Sequence, residues 1–235
     1  MRYIKKGKEP AFMSEWKRQR QQMNPPQPLS YDEFDRKADL NKQLRKEQHG
    51  ICCYCQQRIT HFQGDREKGA HNEHLIPENG YEDSFEKQMD YNNLYACCID
   101  SQGLKKKEKS LRHCGEAKGD KRIRGFIQEE ACSSFFRYNN LGEIIPNGTY
   151  RQWEEYLENK DKLSQDIKDA TEAIDVLNLN CHSLVAGRRK CIDCLIEQLN
   201  KLSKEEVDDI ITEYEATEVY PRYLDMRLYF MRKKK

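Results

Sequence analysis

Cys52 and Cys55, in "GICCYCQ", form a C-x-x-C pair. Two thiolates at that spacing can grip one tetrahedral zinc ion. A second group, Cys97-Cys98, is followed after a polar insert by Cys114. Four thiolates drawn from the two groups close a structural Zn²⁺ site. The expected set is Cys52, Cys55, Cys98 and Cys114, with Cys98 preferred over its neighbour Cys97. The plainer reading, small buried hydrophobes, fits less well, because Gly, Pro and charged residues surround these cysteines. Between the groups stand Glu73, His74 and Asn93, and beyond them "HCGEAKGD" brings His113 and Lys118. Phosphodiester hydrolysis needs a proton acceptor for water, which a neutral imidazole supplies near pH 7. It needs a divalent cation against the charge on the phosphate oxygens, and a carboxylate suits a hard ion such as Mg²⁺ or Mn²⁺. An amide side chain can brace the loop that carries the histidine. His74, Glu73 and Asn93 match those needs in turn. A second C-x-x-C, Cys191 and Cys194, lies in a helical apolar stripe with Cys181-His182 upstream. Thiols packed in a helix interface explain it better than a metal does.

The rest of the chain must position these residues. Its 235 residues suffice for one domain or two small ones. Charged residues make up 34% and the mean hydropathy is -1.04, so the surface is thickly charged. A net charge of +1 gives no global pull toward nucleic acid and leaves that role to local clusters. No apolar run is long enough to span a membrane. The basic start, "MRYIKKGKEPAF", lacks the apolar stretch of a signal peptide. Ten cysteines without such a signal read as reduced thiols or metal ligands in a cytoplasmic protein. "NPPQP" separates an N-terminal stretch from a polar helix expected over Tyr31 to Gln48, ended by His49-Gly50. Gly50 to Gly125 is expected to hold little regular structure. "FFRYNNLGEII" predicts a hairpin turning at Asn139 to Gly142. From Tyr150 the chain is expected to be helical, with an apolar stripe of Ile192, Leu195, Ile196, Leu199 and Leu202. "SKEE" at Ser203 to Glu206 is a capping box. The expected organisation is a basic segment and helix over 1–49, a knuckle core with hairpin over 50–149, and a helical region over 150–235.

Order and spacing resemble an HNH endonuclease of the zinc-knuckle kind. The matching residues are Cys52/Cys55, Glu73-His74 with Pro77, Asn93-Leu94, Cys98, Cys114 and Lys118. The resemblance implies an α+β fold: a ββα-metal core between helical flanks. It makes His74 the general base, Glu73 a ligand of the catalytic metal and Asn93 the loop brace, with Lys118 closing the motif. Two departures stand out. "LKKKEKSLR" separates Cys98 from Cys114, where the common motif has two residues. Gly115 stands where a third His or Asn usually follows the cysteine, which leaves His113, or a residue from elsewhere, as candidate second ligand. The opening segment with Trp16, "FFRYNNLGEII", and "LNLN" (Leu177 to Asn180) with Arg188 also resemble the retron-associated, PtuB-type HNH family of Septu antiphage defence. That resemblance implies a bacterial cytoplasmic nuclease acting on DNA, RNA or tRNA within a hetero-oligomer. Its partner would be a PtuA-type ATPase of the ABC/SMC-like class.

Three basic clusters could contact phosphates: Lys105 to Lys109, Lys118 to Arg124 and Arg232 to Lys235. The terminal run reads better as a solvated face. An alternative to the enzyme is a catalytically silent, zinc-stabilised adaptor that binds nucleic acid or the ATPase. Gly115 favours the adaptor and the retained His74 with Asn93 favours the enzyme.

Overall fold

The computed structural model describes residues 1–59, 69–99, 111–148 and 163–234. The cluster Lys105 to Lys109 and the start of the expected helical region, 149–162, lie outside them. Pro10 opens helix α1 (Ala11–Gln22), which ends just before "NPPQP" and buries Met13. Helix α2 (Lys37–Glu47) buries Leu40 and Leu44. It starts six residues later than its apolar spacing suggests. The residues before it turn instead, with the Phe34 amide donating to the Tyr31 carbonyl at 3.1 Å. Phe34 is thereby buried edge-on against Trp16, ring centroids 5.2 Å apart. His49 and Gly50, both at positive φ, lead the chain away from α2.

The segment expected to be irregular contains the sheet that carries the site. Strand β1 (Ala70–His74) pairs antiparallel with β2 (Leu94–Cys98), His71 opposite Cys97 and Glu73 opposite Tyr95. "AHNEH" lacks the β-branched residues that announce a strand. It is extended because it lies along β2, whose five residues are all buried. A one-turn helix, α3 (Ser84–Lys87), lies between the strands, and a second, α4 (Gly115–Lys118), follows Cys114.

Strands β3 (Phe136–Tyr138) and β4 (Ile144–Pro146) form the expected hairpin. The Asn139 side-chain oxygen accepts from the Leu141 and Glu143 amides in its turn. Gly142 has φ +90°, and a Cβ there would lie 2.5 Å from the Val185 carbonyl oxygen, so glycine is required twice over.

Four helices complete the described chain: α5 (Gln165–Val176), α6 (His182–Leu199), α7 (Lys204–Ala216) and α8 (Leu224–Lys234). Ser203 and Glu206 form the reciprocal capping box at the start of α7. Of the expected stripe on α6, Ile192, Leu195 and Leu199 are buried, whereas Ile196 is exposed. The buried arc of α6 is therefore narrower than the sequence pattern. Buried Arg188 ties this helix to the hairpin, donating to the Gly142 carbonyl at 2.5 Å and the Leu179 carbonyl at 2.6 Å. One apolar cluster includes Met13, Leu40, Leu94, Ile174 and Met226, so the main core draws on both ends of the chain as well as its middle. The architecture is mixed α and β with two small two-stranded sheets. No described helix is long and apolar enough to cross a membrane.

Candidate metal and acid–base site

Cys52 and Cys55 lie on a tight turn. The Gln56 amide donates back to the Cys52 carbonyl at 3.2 Å, and the Cys52 amide donates to the Gln57 carbonyl at 2.9 Å. Gln56 takes a positive φ of 59° at the turn's corner. Cys98 arrives from the end of β2 and Cys114 from the residue before α4. All four thiols are buried, and their sulfurs lie within 4.8 Å of one another. The Cys52–Cys114 and Cys55–Cys98 sulfurs are 3.9 and 3.7 Å apart. A tetrahedron of sulfurs with metal bonds of about 2.3 Å has an edge of about 3.8 Å. The quartet is thus spaced to hold a metal ion. Cys98, rather than Cys97, completes it. Burial alone would raise the Cys52 thiol, but hydrogen bonds with Cys114, Cys53, Cys55 and Cys97 hold it well below its ordinary range. Burial pushes Cys114 well above it.

His113 belongs to this cluster. Its Nδ1 lies 3.1 Å from Cys114 Sγ and 3.8 Å from Cys98 Sγ. The residue that joins Glu73 is His71: Nε2 is 3.2 Å from Glu73 Oε2. His113 precedes Cys114 and is drawn with it into the sulfur cluster. His71, two residues before Glu73 on β1, shares Glu73's side of the strand.

Glu73 is almost wholly buried and fully engaged. The Tyr54 hydroxyl donates to Oε1 at 3.2 Å, and the Lys118 ammonium lies 3.0 Å from the same oxygen. Lys118 also donates to the His74 carbonyl at 2.8 Å. Burial would raise the Glu73 carboxyl, but the His71 hydrogen bond and the Lys118 charge hold it below the ordinary carboxylate range. In His71 the balance falls the other way from burial as well. Desolvation would lower its pKa, while the hydrogen bond and charge of Glu73 raise it.

His74, the next residue, points to the opposite side of β1. Its Nε2 donates to the Gln88 carbonyl at 2.8 Å, and Tyr31 packs edge-on against the ring at 4.6 Å between centroids. Those contacts fix the ring and leave Nδ1 as the atom that can exchange a proton. Glu78 Oε1 lies 3.1 Å from Nδ1, and that hydrogen bond lowers the Glu78 pKa. Asn93 accepts from the Ile76 amide at 2.7 Å and donates to the Ile76 and Lys87 carbonyls at 2.9 and 3.0 Å. It ties the loop after β1 to the end of α3, the two segments that hold the His74 ring.

Several basic side chains of the described clusters have partners of their own. Lys118 is buried against Glu73. Arg122 is paired with Asp83 at 3.0 Å, and Arg124 reaches Glu129, Asp166 and Asp169, which raise its pKa. At the C-terminal run, Arg232 pairs with Glu215 and Lys234 donates to the Leu199 carbonyl.

His71, Tyr54, Glu78 and Gln88 are the site neighbours that sequence reading passed over. The period-two placement of His71 and Glu73 was the available signal, and it becomes visible once "AHNEH" is read as a strand. The chain matches no family model, and no curated protein matches it in sequence.

Proposed function

We propose that the protein is a metal-dependent endonuclease with an HNH-type ββα-metal core, hydrolysing phosphodiester bonds of DNA or RNA. The observation that carries this reading is the setting of His74. A backbone carbonyl fixes one ring nitrogen, Nδ1 is directed away from it, and Asn93 braces the loop beside it. A general base needs one nitrogen held, as Nε2 is, and the other open to water, which here requires Glu78 to leave Nδ1. The order of parts supports it as well: two antiparallel strands, then a short helix, with a thiol quartet at their base.

In this reading Zn²⁺ at Cys52, Cys55, Cys98 and Cys114 is structural. It cross-links the knuckle, the end of β2 and α4, and so sets the height of β1 against α4. A divalent cation at Glu73, Mg²⁺ or Mn²⁺ by the sequence resemblance, would stabilise charge on the phosphate oxygens. Tyr54 and Lys118 orient the Glu73 carboxylate through Oε1. His74 Nδ1 takes the proton of the attacking water once Glu78 has left it and the proton of their hydrogen bond has gone with Glu78 or to solvent. The PtuA-type ATPase partner rests on the sequence resemblance alone.

The adaptor reading has its own observation: every Glu73 oxygen already has a protein partner, and Gly115 offers no ligand. Cleavage of a mixed panel of DNA and RNA in Mg²⁺ or Mn²⁺ decides between them. His74→Ala is expected to stay folded, keep its structural metal and lose cleavage by about 10²–10⁴-fold. Wild-type cleavage rates in that variant, or no cleavage by the wild-type protein with its partner ATPase present, would remove the enzyme.

A further inference from the structure

The antiparallel register sets His71 opposite Cys97 and Glu73 opposite Tyr95, so His71, Glu73 and Cys97 share one face of the β1–β2 sheet. A ligand atom from each, His71 Nε2, a Glu73 carboxylate oxygen and Cys97 Sγ, lies within 4.8 Å of the other two. Gly115 lies against the same point. A Cβ there would fall 2.7 Å from His71 Nε2 and closer still to Glu73 Oε2. The missing side chain leaves room into which the imidazole and the carboxylate are turned.

We propose that His71, Glu73 and Cys97 bind a second metal ion, of the zinc class, separate from the ion of the four-cysteine site. The proposal rests on the reading of Glu73 as a metal ligand, names the residues that complete the set, and replaces the Mg²⁺ or Mn²⁺ of the sequence resemblance with a zinc-class ion at that carboxylate. Three protein ligands with a fourth position left open is the pattern of a reactive rather than a structural zinc site. His71 has a side chain 31% exposed, whereas that of Glu73 is 8% exposed, so the open position faces solvent on the His71 side. One thiolate, one imidazole and one carboxylate favour zinc, iron(II) or cobalt(II) over magnesium, which prefers oxygen ligands and water.

The groups behind the ligands suit that role. Tyr54 and Lys118 both contact Glu73 Oε1 and leave Oε2 on the side of His71. The Gly115 amide donates to Cys97 Sγ at 3.3 Å, an interaction that favours a thiolate. Binding releases the Cys97 thiol proton to solvent and requires His71 with its Nε2 lone pair unprotonated. The hydrogen bond between His71 and Glu73 is exchanged for two bonds to the ion. Cys97 Sγ is also 3.8 Å from Cys52 Sγ, so the two sites adjoin at β2.

The test counts metal. The full chain is loaded with Zn²⁺, or with Co²⁺ as a coloured probe, desalted and analysed per folded chain. Two equivalents are expected in the wild-type protein. His71→Ala is expected to keep the first and weaken the second by more than about 100-fold, because a direct ligand is worth more than an outer one. Cys97→Ser should also lose the cobalt–thiolate absorption of the second equivalent. Gly115→Ala should block the second equivalent by filling its space. One equivalent in the wild-type protein, or two in both His71→Ala and Gly115→Ala, overturns the proposal. His71 is on the surface side of the site, so that variant remains informative if Cys97→Ser does not fold. Two metals without cleavage of any nucleic acid would instead remove the nuclease and leave this site in place. Cleavage by a protein that binds only the four-cysteine metal would do the reverse.

Discussion

The chain carries the C-x-x-C spacing twice, and the two copies have opposite fates. Cys52 and Cys55 sit on a reversing turn that closes on Gln57, and both thiols are buried beside Cys98 and Cys114. Cys191 and Cys194 sit on α6, where Cys191 is buried in the same apolar cluster as Ile192 while Cys194 is exposed. Among the described residues, neither belongs to a group that could hold a metal. Spacing alone does not make a knuckle. The turn places its two sulfurs beside Cys98 and Cys114, whereas the α6 pair, one helical turn apart, meets no further ligands among the described residues and only Cys191 is buried.

The sharpest break of this comparison is in the quartet. If the quartet holds a structural metal, Cys98→Ser or Cys114→Ser is expected to lose it, and with it part of a binding energy on the order of 10 kcal/mol. Metal content and the thermal melt should show the core unfolding or losing cooperativity. A metal-loaded variant with an unchanged melting temperature would contradict the assignment. The corner of the turn comes next. Gln56 donates to Asp225 at 3.0 Å and accepts from the Asp225 amide at 3.0 Å, both buried. Gln56→Ala leaves that carboxylate short of a donor and is expected to cost about 2–3 kcal/mol by urea denaturation. A loss under half of that would mean that Arg2, 3.2 Å from Asp225, already compensates. The α6 pair should respond least. Cys191→Ala is expected to cost about 1 kcal/mol, a small side chain lost from the core, and Cys194→Ser less than about 0.5 kcal/mol, with metal content unchanged in both. Loss of metal in either would place α6 in a metal site after all.

The quartet was legible because thiol chemistry and spacing constrain it tightly. The register at Cys97-Cys98 follows from strand alternation, since Cys97 shares a face with His71 and Cys98 does not. The Asn139–Gly142 turn and the Ser203 capping box were legible for the same reason: each is a local pattern whose partners lie within four residues. The β1–β2 pair was not. "AHNEH" has almost no strand propensity, and its extended form depends on partners 20 to 28 residues away. With the strand hidden, the pairing of Glu73 with His71 was hidden too, and the second ligand stayed open between His113 and a residue from elsewhere. The pairing of Arg122 and Arg124 was equally out of reach, because Asp83, Asp166 and Asp169 approach them only in the folded chain.

Gln56 has a consequence in time as well as in space. Its side chain is completed by Asp225, 169 residues further along, and its carbonyl accepts from the Tyr223 amide at 2.9 Å. At a synthesis rate of roughly 5–20 residues per second, the ribosome makes the knuckle about ten to thirty seconds before it makes the helix that seals it. Until then the thiols of the turn stand in a chain whose corner residue lacks its long-range partners. Contacts of such sequence separation close late and slow folding. An ion captured early would hold the turn through that interval, so metal supply during translation should govern how much chain reaches the native state.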